Sequence, residues 1–141
     1  MQIEDYLRTD IMTAEQIEYA IDLSSIPTEA CYATQNKNHI TFEISNFEFM
    51  CKKYPHKSPS PSQEVKESIK IGMSIQIKAD WLIDEYCDEF FWVKITEEFT
   101  NDEGERFFYG ECLNETQVLN WGTKLGPIRL RNIYNIYFNV F

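Results

Sequence analysis

Few residues in this sequence belong to the types that catalysis and metal binding use most. There are two histidines, His39 and His56, and four cysteines separated by 20, 36 and 25 residues. Zinc ribbons and fingers need ligands paired closely in sequence, so this spacing predicts no structural metal. Motifs of a nucleophile elbow, a zinc protease, a phosphate-binding loop and a dinucleotide-binding turn are also missing. We therefore expect a protein that is not an enzyme and has no cofactor.

Long apolar segments are missing as well. No run reaches the roughly 18 apolar residues that a membrane helix requires. Residues 1–6 lack the basic start and apolar core of a signal peptide. The 141 residues, of which 43% are apolar and 26% charged, are typical of one globular domain. The sequence predicts a single cytoplasmic domain, residues 1–141, with reduced cysteines.

The acidic charge is concentrated in one segment. The chain has 23 acidic and 13 basic residues, a formal charge of −10. Residues 80–115 contain twelve of the acids and two of the bases, so this segment carries the whole net charge. A field of this sign repels nucleic acid and anionic membranes and attracts basic proteins. We predict a basic protein as the partner, and neither nucleic acid nor membrane.

Glycine and proline divide the chain. All five glycines lie at or after Gly72, whereas four of the five prolines lie at or before Pro61. This division predicts a helix-containing portion, residues 1–63, and a β-rich portion, residues 64–141, whose turns use positive φ. The predicted fold class is α+β: short N-terminal helices with a hairpin, then a small, strongly bent antiparallel sheet or SH3-like barrel.

The N-terminal portion shows helix and turn signals. A capping box at residues 13–16 precedes a helical periodicity over 14–23. A hairpin turn is predicted at 35–38, between two strands. Residues 45–48 form a second capping box before an apolar stripe that Pro55 ends. The Ser-Pro stretch at 57–62 indicates an exposed connector, and a third short helix starting with Pro61 is the alternative.

The β-rich portion alternates apolar and polar residues. Period-2 runs predict strands over residues 75–83 and 90–97, joined by a loop at 84–89. A turn at 101–104 leads to a third strand at 106–113. A fourth strand is predicted at 127–130, and the apolar tail at 133–141 is predicted to pack as a final strand or short helix.

Three short motifs in this portion resemble a known family. They are Phe-Trp-Val-Lys-Ile-Thr-Glu at residues 91–97, Arg106 to Glu115, and Lys124-Leu125-Gly126. They are similar to the F-W-V-x-V-T-E, R-F-x-G-x-L-x-N-E-P and K-x-G-D-x-V motifs of the YegJ-like uncharacterised bacterial domain. The resemblance spans about residues 72–137, with Thr116 and Pro127 in place of the family's Pro and Asp. It implies a bent sheet or SH3-like barrel and no established activity; related domains resemble members of toxin and immunity neighbourhoods.

Aromatic residues are interleaved with the acids of residues 80–115, a composition that favours an interface for a basic protein. We hypothesise a bacterial immunity protein that neutralises a basic toxin, such as a nuclease domain, and that is itself a monomer or weak homodimer. The predicted partner-binding residues are acids for steering and aromatic anchors: Asp84, Glu85, Tyr86, Asp88, Glu89, Trp92, Glu97, Phe99, Asp102 and Glu103.

Other interpretations stay open at the level of sequence. The acidic segment can be a solvated face that keeps an aromatic-rich protein soluble. If residues 84–89 were helical, their four carboxylates would form a candidate divalent-cation site. A small-ligand-binding protein or enzyme would use a pocket between the helical and β portions, with cysteine or histidine as the reactive group. A structural subunit would use its apolar C-terminal tail as a pairing edge.

Overall fold

Seven strands and three short helices make up the part of the chain that the structure, a computed structural model, describes: residues 13–54, 61–83 and 87–137. A 3₁₀ turn, Leu130–Asn132, precedes the last strand. The helices and strands are α1 (Ala14–Ser24), β1 (Thr28–Gln35), β2 (Asn38–Ser45), α2 (Glu48–Lys53), α3 (Gln63–Glu67), β3 (Ser74–Asp80), β4 (Asp88–Thr100), β5 (Arg106–Cys112), β6 (Lys124–Arg129) and β7 (Asn135–Tyr137).

The strands form one antiparallel sheet that closes into a six-strand barrel. Neighbouring strands follow the order β2-β1-β6-β5-β4-β3, and β2 pairs with β3 to close the ring. The closing contact is short, with Glu43 opposite Asp80 and Ile44 opposite Ala79. β7 pairs with the same edge of β3, further from this contact. The predicted α+β fold with a small barrel is confirmed, and the final strand at β7 is found as predicted.

The N-terminal hairpin is part of the barrel. β1 and β2 pair in full register around a two-residue turn, in which Asn36 and Lys37 both have positive φ. β1 then pairs with β6, with Tyr32 opposite Gly126. The hairpin turn predicted at 35–38 is therefore confirmed. The predicted N-terminal hairpin, β1 and β2, therefore belongs to the same sheet as the strands of the β-rich portion.

Alternate residues of each strand fill the barrel interior, as expected for a strand with one buried face. The predicted alternation in β3 and β4 is confirmed up to Trp81, whereas Ile83 lies beyond the end of β3 and is 65% exposed. β5 contributes Phe108, which is completely buried. The core residues of β3 and β4 are Ile75, Ile77, Ala79, Phe91, Val93 and Ile95.

A β-bulge in β4 changes the face that its second half presents. Ile95 is opposite Gly110, but the next paired residue is Glu97, opposite Tyr109, so Thr96 is the extra residue. Beyond the bulge, Glu98 is opposite the inward-facing Phe108. Glu97 and Phe99 therefore lie on the outer face. A Cβ atom on Gly110 would lie 2.4 Å from the Lys94 carbonyl oxygen, so the strands approach too closely there for any side chain.

The helices pack beside the barrel, and two of their starts differ from the prediction. The capping box of α1 is present, with the Gln16 amide donating to the Thr13 hydroxyl over 3.1 Å. The second predicted capping box is wrong because Ser45 still belongs to β2, and the Asn46 side chain accepts the Glu48 amide instead. The apolar stripe of α2 is nevertheless buried at Phe47, Met50 and Tyr54.

The third helix, α3, is present. Its N-terminal cap is Ser62, whose hydroxyl accepts the Val65 amide, so the helix does not start with Pro61. The rest of the predicted connector, 57–60, lies outside the described residues. No helix within the described ranges is long and apolar enough to cross a membrane.

Candidate functional site

The predicted partner-binding residues are divided between the two ends of β4. Asp88 and Glu89 lie at its start, whereas Glu97 and Phe99 lie near its end. Asp88 and Glu97 are nine positions apart, which corresponds to about 30 Å in an extended strand. Asp102 and Glu103 are in the turn that follows, beside the second group. Asp84, Glu85 and Tyr86 lie outside the described residues.

The carboxylates at the start of β4 are engaged within the chain. Asp88 forms an ion pair with Lys78 over 3.3 Å. One oxygen of Glu89 accepts the Trp81 indole N–H at 3.0 Å and the Gln117 amide at 2.9 Å. Trp92 is half-buried, its ring edge-on to Tyr137. The helical interpretation of residues 84–89 is wrong for Asp88 and Glu89, because both belong to a strand.

The other end of β4 presents three contacting aromatic rings. Phe99 stacks on Phe107 with ring centroids 5.7 Å apart and meets Tyr109 edge-on at the same distance. Phe99 is 46% exposed, so the contacting rings leave one ring open to solvent. The Tyr109 ring lies against the backbone of Gly126, where a Cβ atom would be 2.5 Å from the ring. We call Phe99, Phe107 and Tyr109 the aromatic cluster.

Three exposed carboxylates lie near this cluster, and no described basic residue forms an ion pair with them: Glu97, Asp102 and Glu103. Their neighbours Glu98 and Glu105 differ, since each forms an ion pair with an arginine. The Asn101 side chain fixes the turn by accepting the amides of Glu103 and Glu105. We call these three carboxylates and the aromatic cluster together the hairpin surface.

An open groove continues this surface across β6 to β1 and β2. It has a volume of about 550 Å³ and is bordered by Tyr32, His39, Tyr109 and Lys124 among others. Tyr32 is 55% exposed. The predicted partner-binding residues did not include Tyr32, Phe107 and Tyr109. Phe107 and Tyr109 belong to the aromatics of the acidic segment, but their outward position depends on the strand register, and that of Tyr32 depends on the pairing of β1 with the distant β6.

A second cavity, of about 610 Å³, lies between α2, α3 and one end of the barrel. It occupies the place where a small-ligand pocket between the helical and β portions was expected. His39, on β2, is not among the described lining residues, and His56 lies outside the described part of the chain. Its charged and thiol side chains are those of Glu48, Cys51, Lys66, Glu67, Glu105, Arg106, Arg129 and Arg131.

A network of ion pairs forms one wall of this cavity. Arg131 binds Glu29 through two nitrogens and Glu105 through a third, and Arg129 donates to Glu105 over 3.0 Å. The buried Asn132 side chain adds a hydrogen bond to Glu29 of 2.9 Å. The hydrogen bond from Arg131 holds the pKa of Glu29 below its usual value, and that from Arg129 does the same for the pKa of Glu105. The network thus joins Glu29 to Arg131 and Asn132, which lie about 100 positions later in the sequence.

The opposite wall contains a buried lysine. Lys66, on α3, is only 4% exposed, and burial lowers the pKa of its ammonium group. The thiol of Cys51 and the carboxylate of Glu48 lie near enough to act on it electrostatically. No carboxylate in the described part of the chain is within ion-pair distance of Lys66, and Glu48 forms its ion pair with Lys52.

The cysteines differ in exposure. Cys31 and Cys112 are buried, and burial raises the pKa of Cys31 to about 12 and that of Cys112 above its usual range. Because the thiolate is the nucleophile, these two cysteines are poor candidates for covalent catalysis. Cys51 and Cys87 are half-buried.

Alkylation should therefore discriminate between the thiols. In the folded protein at pH 8, iodoacetamide is expected to modify Cys87 while Cys31 stays unmodified, as measured by peptide mass spectrometry. In guanidinium chloride both should react. Equal labelling of Cys31 with and without denaturant would contradict the burial on which this expectation rests.

Comparison with family models, curated proteins and solved structures finds no significant match to this chain.

Proposed function

We propose that this protein is a non-enzymatic interaction protein that binds a basic partner protein through the hairpin surface. The observation that carries the proposal is the placement of three carboxylates without a described ion-pair partner around an exposed aromatic cluster. Aromatic side chains dominate the binding energy at interface centres, and charged rims provide steering and partner choice. The hairpin surface has both properties at the tip of one β-hairpin.

The most concrete form of the proposal is an immunity protein that neutralises a basic toxin. A toxin nuclease must bind a polyanion, so its active site is basic. A carboxylate-rich hairpin has the charge of that substrate and would occlude the site. In the free state we expect a monomer or weak homodimer.

The remaining predicted residues belong to a wider interface in this proposal. Asp88, Glu89 and Trp92 at the start of β4 would contact a partner large enough to lie along the strand. The same holds for the adjoining segment 84–86. Because Asp88 and Glu89 already have partners within the chain, we expect them to contribute less than the hairpin surface.

The test uses two hairpin variants, D102N/E103Q and Phe99→Ala. The partner is first captured from the native cell on immobilised wild-type protein, and its affinity for each purified variant is then measured by calorimetry. Each variant is expected to weaken binding by roughly tenfold, because one removes two steering charges and the other the exposed anchor. D102N/E103Q should also reduce the salt dependence of the affinity.

Matched controls keep the total charge and apolar exposure comparable. E15Q/E64Q removes two exposed carboxylates outside the hairpin surface, and Trp121→Ala removes a ring that is 67% exposed elsewhere. Both controls should bind as the wild type does. The proposal would be overturned if no basic partner were captured, or if the hairpin variants bound the partner as tightly as the controls do. The acidic residues would then serve only to keep the protein soluble.

A further inference from the structure

The cavity between α2, α3 and the barrel is lined by several cationic side chains, although the chain as a whole carries −10. Among the described lining residues, the cations are Lys66, Arg106, Arg129 and Arg131, and the acids are Glu48, Glu67 and Glu105. Glu98 and Glu29 pair with Arg106 and Arg131 from outside the lining. The question is therefore which of the four cations is available to a ligand.

Two of these cations have N–H groups that no described side chain engages, and these groups could bind a ligand. Lys66 is 4% exposed and no described carboxylate lies within ion-pair distance of it, so its ammonium group is available to an anion. Arg129 uses its Nε on Glu105, and no described residue accepts a hydrogen bond from its two terminal nitrogens. Arg131 differs, because Glu29 and Glu105 occupy three of its nitrogens.

Arg106 fixes the shape of the site and is not available to a ligand. Its guanidinium binds Glu98 and donates to the carbonyl oxygens of Glu67 and Ile69 at 3.1 and 2.8 Å. These bonds anchor α3 to the barrel and thereby hold Lys66 against the cavity. The cavity volume of about 610 Å³ is within the range of small-molecule sites, about 300–1,000 Å³.

We propose that this cavity binds a small anionic ligand through a phosphate or carboxylate group, with Lys66 as its buried counter-ion and Arg129 as a second donor. Charge-assisted hydrogen bonds from an ammonium and a guanidinium are the contacts that such oxyanions receive in proteins. The site adjoins the hairpin surface at Gly104 and Glu105 but shares none of its residues, and it does not require the proposed partner.

The experiment titrates isotopically labelled full-length protein with inorganic phosphate and, separately, with citrate, against sodium chloride at equal ionic strength. Saturable shifts are expected in the NMR signals of the Lys66 and Arg129 side chains. Lys66→Met keeps an apolar stem of similar length and should weaken binding at least tenfold, roughly the loss of one charge-assisted bond. Arg129→Gln provides a second variant if the first does not fold.

Two controls separate this site from the rest of the protein. Lys70→Met removes an exposed ammonium four residues from Lys66 and should bind as the wild type does. D102N/E103Q should also bind normally, so failure of the partner proposal leaves this result unaffected. Binding of phosphate alone identifies a phosphorylated ligand, and binding of citrate alone a carboxylate. The proposal would be overturned by the absence of a saturable shift with either anion, or by variants Lys66→Met and Arg129→Gln that bind as tightly as the wild type.

Discussion

Phe108→Ala is expected to lower the free energy of unfolding by about 3–5 kcal/mol, the usual range for truncating a fully buried phenylalanine. Phe108 is completely buried in the barrel, and the guanidinium of Arg106 lies 5.2 Å above its ring. Truncation would leave a cavity beneath the arginine that anchors α3. Urea denaturation followed by tryptophan fluorescence measures the change.

The matched control is Phe99→Ala, on the neighbouring strand. Phe99 is 46% exposed on the outer face, so its truncation should cost less than about 1 kcal/mol. The two variants should therefore have opposite phenotypes, since Phe108→Ala loses stability and Phe99→Ala loses partner binding. Similar stability losses in both would contradict the reversal of faces at the β4 bulge.

Glu29→Gln is expected to lower the free energy of unfolding by about 1–3 kcal/mol at pH 7. The carboxylate of Glu29 accepts from Arg131 and Asn132, and its side chain is 21% exposed, which reduces solvent screening. An amide in its place leaves Arg131 with a weaker acceptor and turns an N–H group toward it. Denaturation by urea at pH 7 measures the loss, and E15Q, at an exposed site, serves as the control.

The pH dependence gives this prediction a second readout. The hydrogen bond from Arg131 holds the pKa of Glu29 below its usual value, about 4.3 in an unfolded chain. The contribution of this ion pair to stability is therefore fully present above about pH 4.3 and is lost as the pH falls through the lower, folded-state pKa. The difference between wild type and Glu29→Gln should shrink in acid. An equal difference at pH 7 and pH 3 would show that Glu29 acts by shape and not by charge.

Local patterns predicted the elements well where one face of a segment is buried. The alternation in β3 and β4 identifies their inward residues because the barrel interior accepts only apolar side chains there. The capping box of α1 and the turn at Asn36 and Lys37 are local in the same sense. Their geometry depends on residues within four positions of one another.

The hairpin surface could be predicted only in part, because the bulge cannot be read from periodicity. Continued alternation from Ile95 would place Glu97 and Phe99 inside the barrel, and the extra residue Thr96 places them outside. The location of Tyr32 near Tyr109 follows from the pairing of β1 with β6, about 90 residues away. A local sequence pattern cannot reveal this contact, because no short stretch of the chain contains both strands.

The cavity was expected between the two portions, but its chemistry was not. A cysteine or histidine was the expected reactive group; Cys51 does line the cavity, but the structure also places a buried lysine and three arginines there, which were not expected. The reason is that Glu29, Arg131 and Asn132 meet across more than 100 residues. In the sequence each is an ordinary polar residue, and only the closure of the barrel gives it a partner.

The pairing of β1 with both β2 and β6 has a consequence for synthesis of the chain. β1 is made early, but its second edge has no partner until residues 124–126 have been made. The contacts of Glu29 form later still, with Arg131 and Asn132. During translation, the second edge of β1 therefore stays unpaired while nearly ninety further residues are made. The barrel therefore cannot close before β6 has been made.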